Sequence, residues 1–345
     1  SRGELLAITQ AASSTVVLWH MGTQESRELD LGYRELTFLK FSPSSDLLAI
    51  GTARGLVIIY NVHTLQKKEA LGRHRKRIVC GDWSPNEHLA YASEDRQITI
   101  CDREGATIDQ VKVKCKPQSI SFGGKENAPG TIVSVNMEET ILLYNLLEKD
   151  NALELAFQKR YGTIVSYKWF GDGHFLAGFS SGFVVVISTR AEEIGQERFC
   201  AKFHEELLRD IAYCPETNLV ATCDDRTIKL IDMKDWKEVQ SFAVEKDASD
   251  ALDALAWADD GRMLSVSTKA GCLFTFLVCF GDDTKDAGIL SPQSLITVIL
   301  KPISPRGLLL LLPGLLLIFV FSACWHLDAS VHELYMAVLA SPEVI

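Results

Sequence analysis

Among its nine cysteines the 345-residue chain has no C-x-x-C pair, it carries no N-x-[ST] acceptor, and its eight histidines never fall in H-x-x-x-H or H-E-x-x-H spacing. The first two absences exclude a secreted disulfide scaffold and point to a reducing compartment. The third excludes the helical zinc signatures, and no metal or other cofactor is expected. The chain opens at Ser1 with neither a Met nor a charged start leading into an apolar stretch, so no signal peptide is read there. Positive charge is also in deficit. Lys and Arg number 35 against 45 Asp and Glu, a formal net charge of -10. A nucleic-acid partner is therefore not expected, because such a chain repels a phosphate backbone unless its cations gather on one face. They gather once, at Arg73, His74, Arg75, Lys76 and Arg77.

What the chain has is a repeat. The segments SSTVVLWH (13–20), ARGLVIIYN (53–61), EDRQITICD (94–102), MEETILLYN (137–145), SSGFVVVIS (180–188), DDRTIKLID (224–232) and AGCLFTFL (270–277) share one pattern. Each is a β-branched or apolar run introduced by turn residues, the pattern of a strand leaving a hairpin. Their closing residues Trp19, Tyr60, Cys101, Tyr144, Ile187, Ile231 and Phe276 stand 41, 41, 43, 43, 44 and 45 positions apart. Another strand precedes each hairpin and in most cases a third, closed by an aromatic, precedes that, as in LTFLKF (36–41) and IVCGDW (78–83). More polar stretches such as QKKEAL (66–71) and KEVQSF (237–242) suit outer edges. Four antiparallel strands per unit of about 40–45 residues predict an all-β propeller of about seven blades over 1–278. Its first blade is expected to be truncated, since 5–9 has no inner strand before it.

Gly72 and His74 before an inner strand, followed by Ser93, Asp95 and Asp102, resemble the WD-repeat signature. In that family the His, a turn Asp and a strand Ser or Thr form a buried network that stiffens the blade. The resemblance implies the same role here for Gly72, His74, Ser93, Asp95 and Asp102, and for Asp225 and Asp232 in a later repeat. Cys101 and Ile231 stand where the family has Trp. The strings GDGHFLAGFSSGFVVVIST (171–189) and LVATCDDRTIKLIDM (219–233) are further similar to the amino-terminal propeller of a WD-repeat subunit of intraflagellar-transport complex A. That resemblance covers roughly 5–277. It implies a non-catalytic scaffold acting in retrograde ciliary transport and cilium assembly, located in the cytoplasm, the cilium and its base. Its implied partners are other complex A subunits and ciliary membrane-protein cargo. A generic WD-repeat adaptor is the alternative.

Read on their own, the remaining motifs carry little chemistry. GFSSG (178–182) matches G-x-S-x-G, but a strand rather than a helix follows, so Ser180 is expected in a hairpin turn and not at a nucleophile elbow. FGGKEN (122–127) fails the phosphate-loop spacing. The pairs Asp224-Asp225 and Asp259-Asp260 suit turns. Cys80, Cys101, Cys214 and Cys223 fall on expected strands, where a free thiol serves as a small hydrophobe. Arg73, Arg75, Lys76 and Arg77 are expected in a loop between blades, as a solvated loop or as a contact for an acidic partner. After a linker at 279–293, the Leu-rich stretch 294–345 contains nineteen uncharged residues at 307–325. These read as a membrane helix that would anchor the propeller, or as an ending foreign to the family.

Overall fold

In the computed structural model the repeat is realised as seven antiparallel sheets. The structure describes residues 5–278, except 10–13, 21–22, 24, 45, 126–127, 151, 172, 191, 245–249, 259–260 and 271–272, together with 295–298. The first sheet has three strands, β1 Leu5–Thr9, β2 Thr15–His20 and β3 Ser26–Asp30. Six four-stranded sheets follow. The second blade holds β4 Leu36–Phe41, β5 Leu47–Thr52, β6 Val57–Asn61 and β7 Lys67–Glu69, and the third β8 Ile78–Trp83, β9 Leu89–Ser93, β10 Gln97–Cys101 and β11 Thr107–Lys112. The fourth holds β12 Ser119–Lys125, β13 Ala128–Asn136, β14 Thr140–Asn145 and β15 Leu153–Ala156, and the fifth β16 Ile164–Phe170, β17 His174–Phe179, β18 Phe183–Ser188 and β19 Glu197–Lys202. The sixth holds β20 Asp210–Cys214, β21 Leu219–Cys223, β22 Thr227–Asp232 and β23 Lys237–Ala243, and the seventh β24 Leu252–Trp257, β25 Met263–Thr268, β26 Leu273–Val278 and β27 Leu295–Val298. The protein is a seven-bladed β-propeller.

The core lies between blades. In β5 every residue is buried, because Leu48 and Ile50 pack on Val16 and Leu18 of the first blade while Leu47 and Ala49 pack on Ile78, Trp83 and Tyr91 of the third. A strand sandwiched on both faces loses the apolar-polar alternation of a half-exposed one, which is why these segments read as continuous apolar runs. Outer strands are the reverse: β7, Lys-Lys-Glu, is wholly exposed and its cations suit an unpaired edge.

Two strand boundaries differ from expectation. The outer strand expected over 66–71 contracts to Lys67–Glu69, and Leu71 leaves it, 75% exposed, because its N–H turns to the Gly105 carbonyl of the next blade. Within the stretch expected as a tail from 294, Leu295–Val298 forms β27, paired with β26 from Thr275↔Val298 to Val278↔Leu295. The expected linker, 279–293, and the apolar stretch 307–325 lie outside the described residues. No helix among the described residues is long and apolar enough to cross a membrane.

Candidate functional site: hairpins and crossing loops of one propeller face

The basic run of the third repeat sits where the chain crosses from β7 to β8. The His74 N–H donates to the Gly55 carbonyl in the β5–β6 hairpin (2.9 Å), and Gly55 has φ +82° at a place where an added Cβ would collide with the His74 carbonyl. A left-handed backbone pressed this closely onto another chain segment requires glycine. His74 Nδ1–H then reaches forward to the Asp95 carboxylate in the β9–β10 hairpin, 3.1 Å from both oxygens. The imidazole thus ties one blade's hairpin to the next. Nδ1 faces a carboxylate, which only accepts, and so carries a ring proton; in that tautomer Nε2 accepts the Thr99 hydroxyl (3.0 Å), and Thr99 Oγ1 in turn accepts Gln110 Nε2 (3.2 Å). Asp95 also accepts the N–H groups of Arg75 and Gln97. Burial pushes its carboxyl up, but these bonds and His74 outweigh burial and hold it below the usual carboxylate range.

Gly72 belongs to this arrangement through its carbonyl, which accepts the Tyr91 hydroxyl at 2.9 Å, and Tyr91 meets the His74 ring edge-on at 5.4 Å. Ser93 belongs as well, donating to the Lys76 carbonyl and accepting the Asp95 N–H. The imidazole's hydroxyl partner, however, is Thr99 on the opposite strand, a residue the sequence reasoning missed. Asp102 is a correction: it stays local and accepts the N–H groups of Glu104 and Ala106 in the β10–β11 turn.

A second copy of the device, centred on His204, joins the fifth and sixth blades. His204 Nδ1–H donates to Asp224 Oδ2 (2.9 Å) and Thr222 Oγ1 donates to Nε2 (2.8 Å), while the His204 carbonyl presses on Gly182 at φ +82°. Asp224 accepts in addition the Thr227 hydroxyl and the N–H groups of Arg226 and Thr227. Burial raises its carboxyl, but the bonds from His204 and Thr227 and the backbone N–H groups prevail and hold it far below the usual range.

The expected network member here, Asp225, is not in it: its carboxylate turns outward to Arg209 Nε at 2.5 Å. Hairpin register explains the shift. In the third blade Ala92 pairs with Ile98, leaving three residues, 94–96, in the turn, with Arg96 at φ +64°. In the sixth, Cys223 pairs with Ile228 and the Asp224 N–H bonds the Thr227 carbonyl, so only 225–226 turn. One residue fewer moves the inward carboxylate back by one. Asp232 likewise stays local, accepting the Lys234 N–H. His204, Thr222 and Asp224 were each legible as types, but nothing local in the sequence fixed this register.

The other motifs resolve as blade structure. Ser180 sits in the β17–β18 turn, its Oγ accepting the Thr163 N–H. The glycines of 122–127 lie in β12. Cys101 and Cys223 are fully buried, and burial pushes both thiols up to about 12. The pair Asp259-Asp260 lies outside the described residues. No three metal-ligating side chains converge among the described residues. Around the buried imidazole, by contrast, Arg73, Arg75, Lys76 and Arg77 are all exposed.

Residues 1–271 match the family described as the WDR19 first beta-propeller. Over 282 residues, 80% of this chain, the sequence is 38% identical to WD repeat-containing protein 19 of Mus musculus and 39% identical to that of Homo sapiens. Over 285 residues it is 30% identical to WD repeat-containing protein dyf-2 of Caenorhabditis elegans. The chain spans about a fifth of the length of these curated relatives, 21%, 21% and 20%. A computationally designed protein, Ika8, shares the fold with a TM-score of 0.63 at 18% identity, covering 85% of this chain and 90% of its own. With the periodicity, the seven sheets and the imidazole-centred clamps in place, the chain belongs to the WDR19 first beta-propeller family of WD-repeat proteins.

Proposed function

We propose that this chain is a non-catalytic interaction scaffold of an intraflagellar-transport complex A type assembly, acting in retrograde ciliary transport and cilium assembly. Membership of the WDR19 first-propeller family over 1–271 carries this reading. The architecture supports it: buried His, Asp and Thr groups are spent on holding blades together, and exposed cations are left on the loops those groups fix. Rigid scaffolds that present variable loops suit recognition. Arg73, Arg75, Lys76 and Arg77 are the contact residues proposed for a partner, and the other subunits of complex A and ciliary membrane-protein cargo are the partners proposed. The chain works in the cytoplasm, the cilium and its base.

Tagged full-length chain expressed in ciliated cells, purified by affinity and analysed by mass spectrometry, tests the reading. Enrichment of complex A subunits over a tagged unrelated propeller is the expected result. A folded chain that brings down none of them refutes it.

A further inference from the structure

The cations of this face are not confined to one loop. Backbone hydrogen bonds join four consecutive segments edge to edge. The Ala53 N–H donates to the Glu35 carbonyl, linking the β3–β4 loop to the β5–β6 hairpin. The His74 N–H donates to Gly55, linking that hairpin to the β7–β8 loop, and the Glu94 N–H donates to Arg77, linking the loop to the β9–β10 hairpin. Along this line Arg34, Arg54, Arg75, Lys76, Arg77 and Arg96 are exposed. None of the six pairs with a carboxylate among the described residues. Counting Arg73, the segments 32–35, 53–56, 72–77 and 94–96 hold seven cations against Glu35, Glu94 and Asp95, a local net charge of +4 in a chain whose formal charge is -10. Asp95 is already engaged by His74, and Lys116 beside Glu94, helped by Arg77 and Lys76, lowers that carboxyl.

We infer that this arginine-rich seam, crossing from the first-to-second blade loop to the third blade's hairpin, is a docking track for an acidic peptide: a partner segment carrying several Asp or Glu side chains in succession. Five of the six cations are arginines, whose planar forks match carboxylates in two-point contacts. The seam is ordered before binding, because buried His74 and the hairpin bonds fix its backbone, so little ordering cost falls on this side of the contact. A broad anionic surface is disfavoured. Exposed Glu138 and Glu139 of the β13–β14 hairpin and Glu205 and Glu206 of the β19–β20 loop occupy the equivalent strand ends of the fourth, fifth and sixth blades. A flat membrane laid over this face would meet those carboxylates too, whereas a single extended peptide can follow the cations alone. The inference goes beyond the scaffold reading by naming the chemistry of one ligand, and it does not need complex A to supply it.

Fluorescence anisotropy on the full chain tests it, with a labelled twelve-residue Glu-rich peptide, the same peptide with Gln for every Glu, and phosphatidylcholine vesicles containing phosphatidylinositol bisphosphate. The expected result is salt-sensitive binding of the Glu peptide alone, weakened by about tenfold or more in the Arg54→Glu, Arg75→Glu, Arg77→Glu variant at unchanged Tm. A charge-matched Arg103→Glu, Lys234→Glu, Lys237→Glu variant keeps the binding. Equal affinity for the Gln peptide, tighter association with the vesicles, or equal loss in both variants overturns the inference. Should the seam variant unfold, adding Arg34→Gln and Arg96→Gln in separate chains supplies the same comparison with smaller perturbations. Complex A recovery by the wild-type chain reports on the scaffold reading separately, so either can fail while the other stands.

Discussion

Replacing Asp224 by Ala removes the acceptor of four hydrogen bonds at once, those of His204 Nδ1–H (2.9 Å), the Thr227 hydroxyl (2.5 Å), and the N–H groups of Arg226 (2.8 Å) and Thr227 (2.6 Å). The His204 ring is fully enclosed, and its Nδ1–H is left with only the Thr227 hydroxyl, 3.5 Å away. Leaving such a buried donor without its carboxylate acceptor costs about 1–3 kcal/mol. The high end, about 3 kcal/mol, applies here because the lost acceptor is a carboxylate serving four donors, of which only the N–H of exposed Arg226 readily regains water. At about 2–4 °C per kcal/mol for domains of a couple of hundred residues, Tm falls by roughly 6–12 °C. Asp225→Ala is the internal control, one residue away in the same turn. Its pair with Arg209 is surface-like, with side chains 41% and 24% exposed, and its loss costs about 1 kcal/mol or less. Urea and thermal denaturation of both variants measure the contrast, and an Asp225→Ala chain as unstable as Asp224→Ala refutes the register assignment. Acid gives a second readout. Asp224 is depressed in the folded state, so its contribution is present above the unfolded value near 4 and fades as pH falls toward the folded value. The gap in urea midpoint between wild type and Asp224→Ala therefore narrows below about pH 4, and widening there contradicts the argument.

Gly182→Ala places a methyl group 1.8 Å from the His204 carbonyl at φ +82°, and is expected to cost about 3 kcal/mol, against about 1 kcal/mol for Gly171→Ala, whose added carbon meets nothing within 4 Å. Equal losses by urea denaturation would remove the clamp from the argument. Native protein treated with a thiol reagent at pH 8 is expected to label Cys115, which is exposed, well before Cys101 and Cys223, whose thiols burial holds near 12, leaving about one thiolate in ten thousand. Peptide mapping that finds Cys101 or Cys223 modified as fast as Cys115 contradicts the buried placement.

The strands were legible because their signals are local. In β4, Leu36–Phe41, and β8, Ile78–Trp83, an apolar run closed by an aromatic and followed by Ser-Pro marks the strand, and the expected and observed bounds agree. Outer strands were less legible, since β7 has only three residues and polar composition alone does not say which of them keep their ladder bonds. Bulges were not legible at all. Register shifts recur near the start of the inner strand, between Leu36 and Phe38, Ile78 and Cys80, Ile164 and Ser166, and Leu252 and Ala254, and such shifts bend and twist a strand in a way no local pattern encodes. Of the polar network, Gly72, His74, Ser93 and Asp95 were readable from the motif. Thr99 was not, because it reaches His74 across the sheet from the opposite strand.

Sequence alone therefore determined the period, the strand content and the number of blades, which depend on side-chain alternation and turn chemistry within about ten residues. Tertiary structure decided which carboxylate closes each clamp. Asp95 and Asp225 occupy the same place relative to the closing residues Cys101 and Ile231, yet Asp95 faces His74 while Asp225 faces Arg209 and Asp224 takes the inward position. The difference is one residue of hairpin length, fixed by how two strands pair. Packing of neighbouring blades likewise brought Arg34, Arg54 and Arg96 beside the run at 73–77, since residues some 20 to 40 positions apart meet only when the sheets are arrayed around the ring.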